Sequence, residues 1–119
     1  MTIDLLYGRS TLPVSLPAGC VPTVIEKRAM PVLAEPRAAI ERALAEPVGS
    51  PALRELARGK RSACVLICDI TRPVPNGLFL PSLIRALLDA GVPRAGITVL
   101  VATGLHRPNE GQELAELVG

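Results

Sequence analysis

Apolar positions along this chain keep one rhythm near the start and another after residue 36. "TIDLLY" (2–7) reads as a short strand closed by Gly8-Arg9-Ser10. "LPVSLP" (12–17) alternates and is bracketed by prolines, which favours an edge strand. "VPTVIEKR" (21–28) fits no clear period and is expected to be extended, and Met30 to Pro36 reads as loop. Pro36 then opens "PRAAIERALAE", a helix with Ala39, Ile40, Ala43 and Leu44 on one face and a proline where the missing N–H has no partner to lose. Pro47 ends it. Ser50 is expected to cap a second helix, "PALRELARG", which Gly59 terminates.

The clearest pattern follows. "SACVLICD" (62–69) is a buried strand by its unbroken apolar run. Leu80, Leu83, Ile84, Leu87 and Leu88 recur at helical spacing within "GLFLPSLIRALLDAG" (77–91), and Gly91 stops that helix. Pro81 falls in its first turns, where it is tolerable. "GITVLVAT" (96–103) is a second buried strand. Strand, helix, strand over 62–103 is a βαβ unit, so the two strands should run parallel with a right-handed crossover. Asn109 is expected to cap a last helix, "EGQELAELVG", with Gln112 completing a capping box. The fold class is therefore α/β: an open, mainly parallel sheet with flanking helices, in a single 119-residue domain or a fragment of one.

Composition narrows this further. Apolar residues make up 49% of the 119, yet aromatics are limited to Tyr7 and Phe79, so the core must be aliphatic. That suits helices on a parallel sheet whose strands are buried on both faces. Thirteen basic against eleven acidic residues give a net charge of +2. This is too mild, and too poor in stacking aromatics, to argue for nucleic acid. No run approaches a membrane span, and "MTIDLLYGRS" has no basic start followed by an apolar stretch. Cys64 and Cys68 share a strand face but lie ~13 Å apart along it, beyond disulfide reach. Three reduced thiols and a cytoplasmic location are the expectation, with no metal site built from this chain.

Ligands of open α/β sheets bind beyond the carboxyl ends of the strands. Both such ends here are polar: "DITRP" (69–73) and "TGLHRPN" (103–109). Adjacent strands would bring Asp69, Thr71, Arg72, Thr103, His106 and Arg107 to one crevice. Arg72 suits a carboxylate or phosphate, and His106 can move a proton near neutral pH. Thr103, Gly104 and the amides opening the last helix could hold an anion. Each residue also has a plainer reading. Asp69 and Arg72 could pair to fix a turn, a loop histidine is usually solvated, and Arg107-Pro108-Asn109 could be only a helix entry. An Arg-Pro pair at both strand ends of one βαβ unit tips the balance towards function.

"DITRP" followed by "ATGLHRP" (102–108) resembles the nickel-pincer lactate racemase family, whose members carry D-x-T-R-P and T-G-x-H-R-P near their N-terminal ends, and "YGRSTLPVSLP" resembles the family's opening. The resemblance covers essentially the whole chain but only the first part of the much longer family members. It implies a racemase or epimerase that inverts a lactate-like 2-hydroxy acid by hydride transfer to a nickel-pincer nucleotide (pyridinium-3,5-bisthiocarboxylic acid mononucleotide nickel). It implies His106 as a catalytic base, Arg72 as the contact to the substrate carboxylate and Asp69 as a nearby active-site acid. It implies cofactor contact for Thr71, Thr103 and Arg107 more loosely. The family's tethering lysine sits in a Gly-rich segment, and Lys27 and Lys60, the only lysines here, do not.

Inversion is easiest with a base on each side of the carbon, and His106 is the only histidine. A second base must then come from elsewhere, so the expectation is half an active site, inactive alone. The chain ends at "ELAELVG" with no strand returning to the sheet, which points the same way. Two other hypotheses stand beside this one: a standalone α/β module that binds a small anion or nucleotide, and a segment that self-associates to cover open sheet edges.

Overall fold

The computed structural model describes all residues from Met1 to Gly119, which divide into two units, Met1–Pro31 and Val32–Gly119. In the first unit, β1 (Thr2–Tyr7) and β2 (Ser10–Ser15) form an antiparallel hairpin running from Thr2↔Ser15 to Tyr7↔Ser10. Gly8 supplies the left-handed residue of its tight turn, with φ 58°. Both strands are edges, so Pro13 is accommodated opposite Asp4. Residues 20–33 carry no regular element.

The second unit contains α1 (Pro36–Ala45), α2 (Leu53–Ala57), β3 (Ala63–Cys68), α3 (Asn76–Asp89), β4 (Ile97–Ala102) and α4 (Gly111–Val118). β3 and β4 pair in parallel from Ala63↔Ile97 to Cys68↔Ala102, so the βαβ unit and the α/β class hold. α3 runs through Pro81 and ends in a Schellman motif. There the Gly91 N–H reaches the Leu88 carbonyl at 2.9 Å and the Val92 N–H reaches Leu87 at 3.1 Å. Gly91, at φ 95°, makes the reversal possible, and it drives Val92 into the core beside Leu87.

The core lies on one side of the sheet. Ala57, Leu87 and Val92 form a cluster that packs on Ala63, Val65 and Ile97. Ile67, Leu80 and Leu117 form a second cluster towards the carboxyl ends of the strands, bordered by Phe79, Val101 and Val118. The reading of both strands as buried on two faces is therefore corrected. Cys64, Leu66 and Cys68, with Thr98, Leu100 and Ala102, form a face left open to solvent, and Leu66 is 67% exposed. All three cysteines are free and exposed.

Two expected caps are also corrected. α2 starts at Leu53 after Ala52, with no side-chain cap, and the Ser50 hydroxyl instead donates to the Pro51 carbonyl. α4 starts at Gly111 after Glu110, again with no side-chain cap, so Asn109 and Gln112 form no capping box. No helix is long and apolar enough to cross a membrane.

Candidate active site

The carboxyl ends of β3 and β4 deliver two adjacent loops, 69–75 and 103–110. In the first, the Arg72 N–H closes a turn onto the Asp69 carbonyl at 3.1 Å. Pro73 and Pro75 then hold the exit out of the helix until Asn76. In the second, the His106 N–H closes a turn onto the Thr103 carbonyl at 3.0 Å, and Gly104 supplies the left-handed residue at φ 58°. Leu105, at its tip, is fully exposed.

Asp69 is the buried centre of the site, at 4% exposure. The Thr71 hydroxyl donates to its Oδ1 at 2.6 Å, and His106 Nδ1 contacts its Oδ2. The Thr71 hydroxyl, and after it His106, hold the Asp69 carboxyl below its ordinary range. A carboxylate can only accept, so in the neutral ring Nδ1 carries the proton and the lone pair stands on Nε2. The His106 side chain is 54% exposed. The arrangement is a half-exposed imidazole oriented by a buried acid, with no partner on its basic nitrogen.

The other expected residues divide. Arg72 is exposed and its side chain does not pair with Asp69, which engages Thr71 and His106 instead, so the turn there is closed by the backbone and not by an ion pair. Its guanidinium has no acid or carbonyl partner, which leaves all its donors for a ligand. Arg107 is committed: Nη1 and Nη2 grip Glu113 Oε2 and Oε1 at 2.7 and 2.8 Å in a two-bond fork. That fork raises the Arg107 pKa and lowers that of Glu113. Thr103 underlies the turn through its carbonyl, and its hydroxyl takes no part in the network.

Glu113 escaped the sequence reading, and Asn109 was expected as a helix cap. Asn109 is buried; its Oδ1 accepts the Ile70 N–H at 3.3 Å, and its Nδ2 donates to Glu113 Oε2 at 2.8 Å. Glu113 receives both Arg107 and Asn109. The available signal was an acid six residues after Arg107, one turn into the helix, where only a cap was sought.

Fold and site together describe an α/β domain that carries a His–Asp pair and a free arginine at the carboxyl edge of a parallel strand pair. Residues 7–119 match the lactate racemase N-terminal domain family, and the chain belongs to it. It is 45% identical over 80 residues to the lactate racemase of Lactiplantibacillus plantarum, covering 67% of this chain and 19% of that one. It is 32% identical over 119 residues to the lactate racemase of Thermoanaerobacterium thermosaccharolyticum, covering 98% of this chain and 28% of that one. The structure of the lactate racemase apoprotein from the latter organism superposes with a TM-score of 0.69 at 30% identity, over all of this chain and 27% of that one. The chain thus spans less than a third of the relatives it matches.

Proposed function

We propose that this chain is the N-terminal part of a 2-hydroxy-acid racemase and supplies one catalytic base and the carboxylate-binding cation. The observation that carries the reading is the Asp69–His106 pair, with Nδ1 engaged by a buried carboxylate and Nε2 open. The names of the relatives supply the substrate class, lactate.

In this reading the substrate carboxylate sits on the free fork of Arg72, which fixes the acid by two hydrogen bonds. Its hydroxyl then lies against His106, and Nε2 takes the hydroxyl proton. Asp69 holds the ring in the tautomer that leaves Nε2 basic, and it stabilises the imidazolium once formed. Thr71 keeps Asp69 ionised. With His106 the sole histidine, the base on the opposite face of the carbon comes from outside this chain.

The resemblance implies a nickel-pincer nucleotide, which when bound would supply a reversible hydride acceptor for the substrate's Cα. No three His, Cys, Asp or Glu side chains converge here as a metal cage. A pincer ligand brings its own donor atoms, so the fit required of this chain is on the substrate side. A ring nitrogen free of partners and an unpaired guanidinium satisfy it. Of Thr71, Thr103 and Arg107, Thr103 alone has an uncommitted side chain to offer the nucleotide's phosphate, because the other two already serve Asp69 and Glu113.

The test is racemisation of lactate by a longer polypeptide that carries this segment and is loaded with cofactor. His106→Gln should lower kcat by about 10²–10⁴, the usual contribution of a positioned base. Arg72→Ala should raise KM and lower kcat/KM. Activity that survives both changes refutes the reading. The 119-residue chain alone should racemise nothing. Tight, cofactor-free binding of lactate or phosphate to it, measured by calorimetry, would support an anion-binding module instead.

A further inference from the structure

The two loops of the site are exposed, and exposed loops move. A base must nevertheless sit within a fraction of an ångström of its target, so something must hold the loops in register. The bonds already described form a closed ring. His106 contacts Asp69, whose chain neighbour Ile70 gives its N–H to Asn109. Asn109 binds Glu113, and Glu113 grips Arg107, the chain neighbour of His106. Two peptide links and four side-chain links complete the circuit across both strand ends.

From this ring we infer that Asn109 and Glu113 are positioning residues for His106: they clasp loop 69–72 to loop 103–107 and so maintain the Asp69–His106 contact. Asn109 is suited to this role because its amide has both an acceptor and a donor. The acceptor holds the backbone beside Asp69 and the donor holds Glu113. Glu113 is suited because a carboxylate can take the Arg107 fork and the Asn109 amide together. It stands on the first turn of α4, whose Leu117, four residues on along the same helix face, is buried in the core. The clasp is therefore anchored to the rigid part of the domain and not to another loop. Without it, His106 would keep its place in the sequence but lose its orientation.

The inference rests on the reading of His106 as the base, and its test separates the two. His106 is the only histidine, so its ring ¹⁵N signals in the 119-residue chain are unambiguous and report the Nδ1–H to Nε2–H ratio of the neutral ring. Asn109→Ala and Glu113→Ala, each shown by circular dichroism to keep the fold, should lower that ratio about fivefold, the effect of one ordinary hydrogen bond. Glu113→Gln keeps an acceptor for Asn109 but loses the charge that faces Arg107, and should give a smaller shift. A folded Asn109→Ala with an unchanged ratio overturns the inference. Should Glu113→Ala unfold, an unchanged ratio in Glu113→Gln overturns it equally. Asp69→Asn is the control. If it moves the ratio while the clasp variants do not, only the clasp fails; if it does not move the ratio, the oriented base itself fails.

Discussion

Leu117→Ala is the most informative single change to the fold, because Leu117 links the core to the site. It is 4% exposed and packs with Ile67 and Leu80 beneath the carboxyl ends of the strands. The Asn76 side chain donates to the Leu117 carbonyl at 3.0 Å, a backbone bond that alanine keeps. The perturbation is therefore lost side-chain volume. Three buried carbons at about 0.8 kcal/mol each give roughly 2.4 kcal/mol of lost transfer energy. The cavity left behind adds to this, and buried Leu→Ala changes span about 2–5 kcal/mol in all. α4 is a short helix that can partly collapse onto the gap, which places the expectation near 3 kcal/mol. Against a typical total of about 5–15 kcal/mol this is a large loss. A urea titration followed by circular dichroism should show the midpoint fall by about 1.5–2 M, taking a slope near 1.5–2 kcal/mol/M. Leu87→Ala, equally buried in the other cluster, should cost a similar amount. The two variants should then differ at the site: Leu117→Ala shifts the His106 ring signals through Glu113, and Leu87→Ala leaves them in place. Equal disturbance of His106 by both, or a cost below ~1 kcal/mol for Leu117→Ala, would refute the division into two clusters.

The Asp69 carboxyl is held below its ordinary value of 3.8, so its contribution to stability is present above that value and is lost as pH falls through the lower folded one. Wild type should exceed Asp69→Asn in thermal midpoint at pH 6, and the gap should close as pH falls below the ordinary value of 3.8; a gap independent of pH contradicts the assignment. Gly96→Ala would place a Cβ 2.4 Å from the Arg61 carbonyl oxygen, a backbone atom that cannot rotate away. Its cost should be about 1–3 kcal/mol, read as a fall in Tm of at least ~4 °C, and an unchanged Tm would mean that this approach is looser than described.

What was legible in the sequence follows from where the information lies. β3, α3 and β4 could be read because their signals are local: an apolar run, a five-residue leucine and isoleucine stripe, a glycine stop. Their parallel pairing then placed Asp69 beside His106 without any further knowledge. The open face of the sheet could not be read. "ACVLIC" is apolar at every position, so its pattern is the same whether one face or both are covered. The caps failed for a related reason. Asn109 before a helix scores as a cap by type, but its amide found the Ile70 N–H, 39 residues away in sequence, a contact that exists only after the strands pair.

The two Arg-Pro pairs show how far such a reading can be pushed. At the level of sequence, Arg72-Pro73 and Arg107-Pro108 are equivalent: each follows a strand, and each could face a ligand. One acid breaks the equivalence. Glu113 satisfies the Arg107 fork with two bonds from one carboxylate, which spends most of that side chain's capacity for another anion. Nothing does the same for Arg72: the nearby Asp69 engages Thr71 and His106 and makes no pair with it. The Thr71 hydroxyl and the His106 ring are the two side-chain partners of Asp69. Asp69 accepts from one and orients the other, while the Arg72 guanidinium stays without a partner, as the proposed role in holding a substrate carboxylate requires.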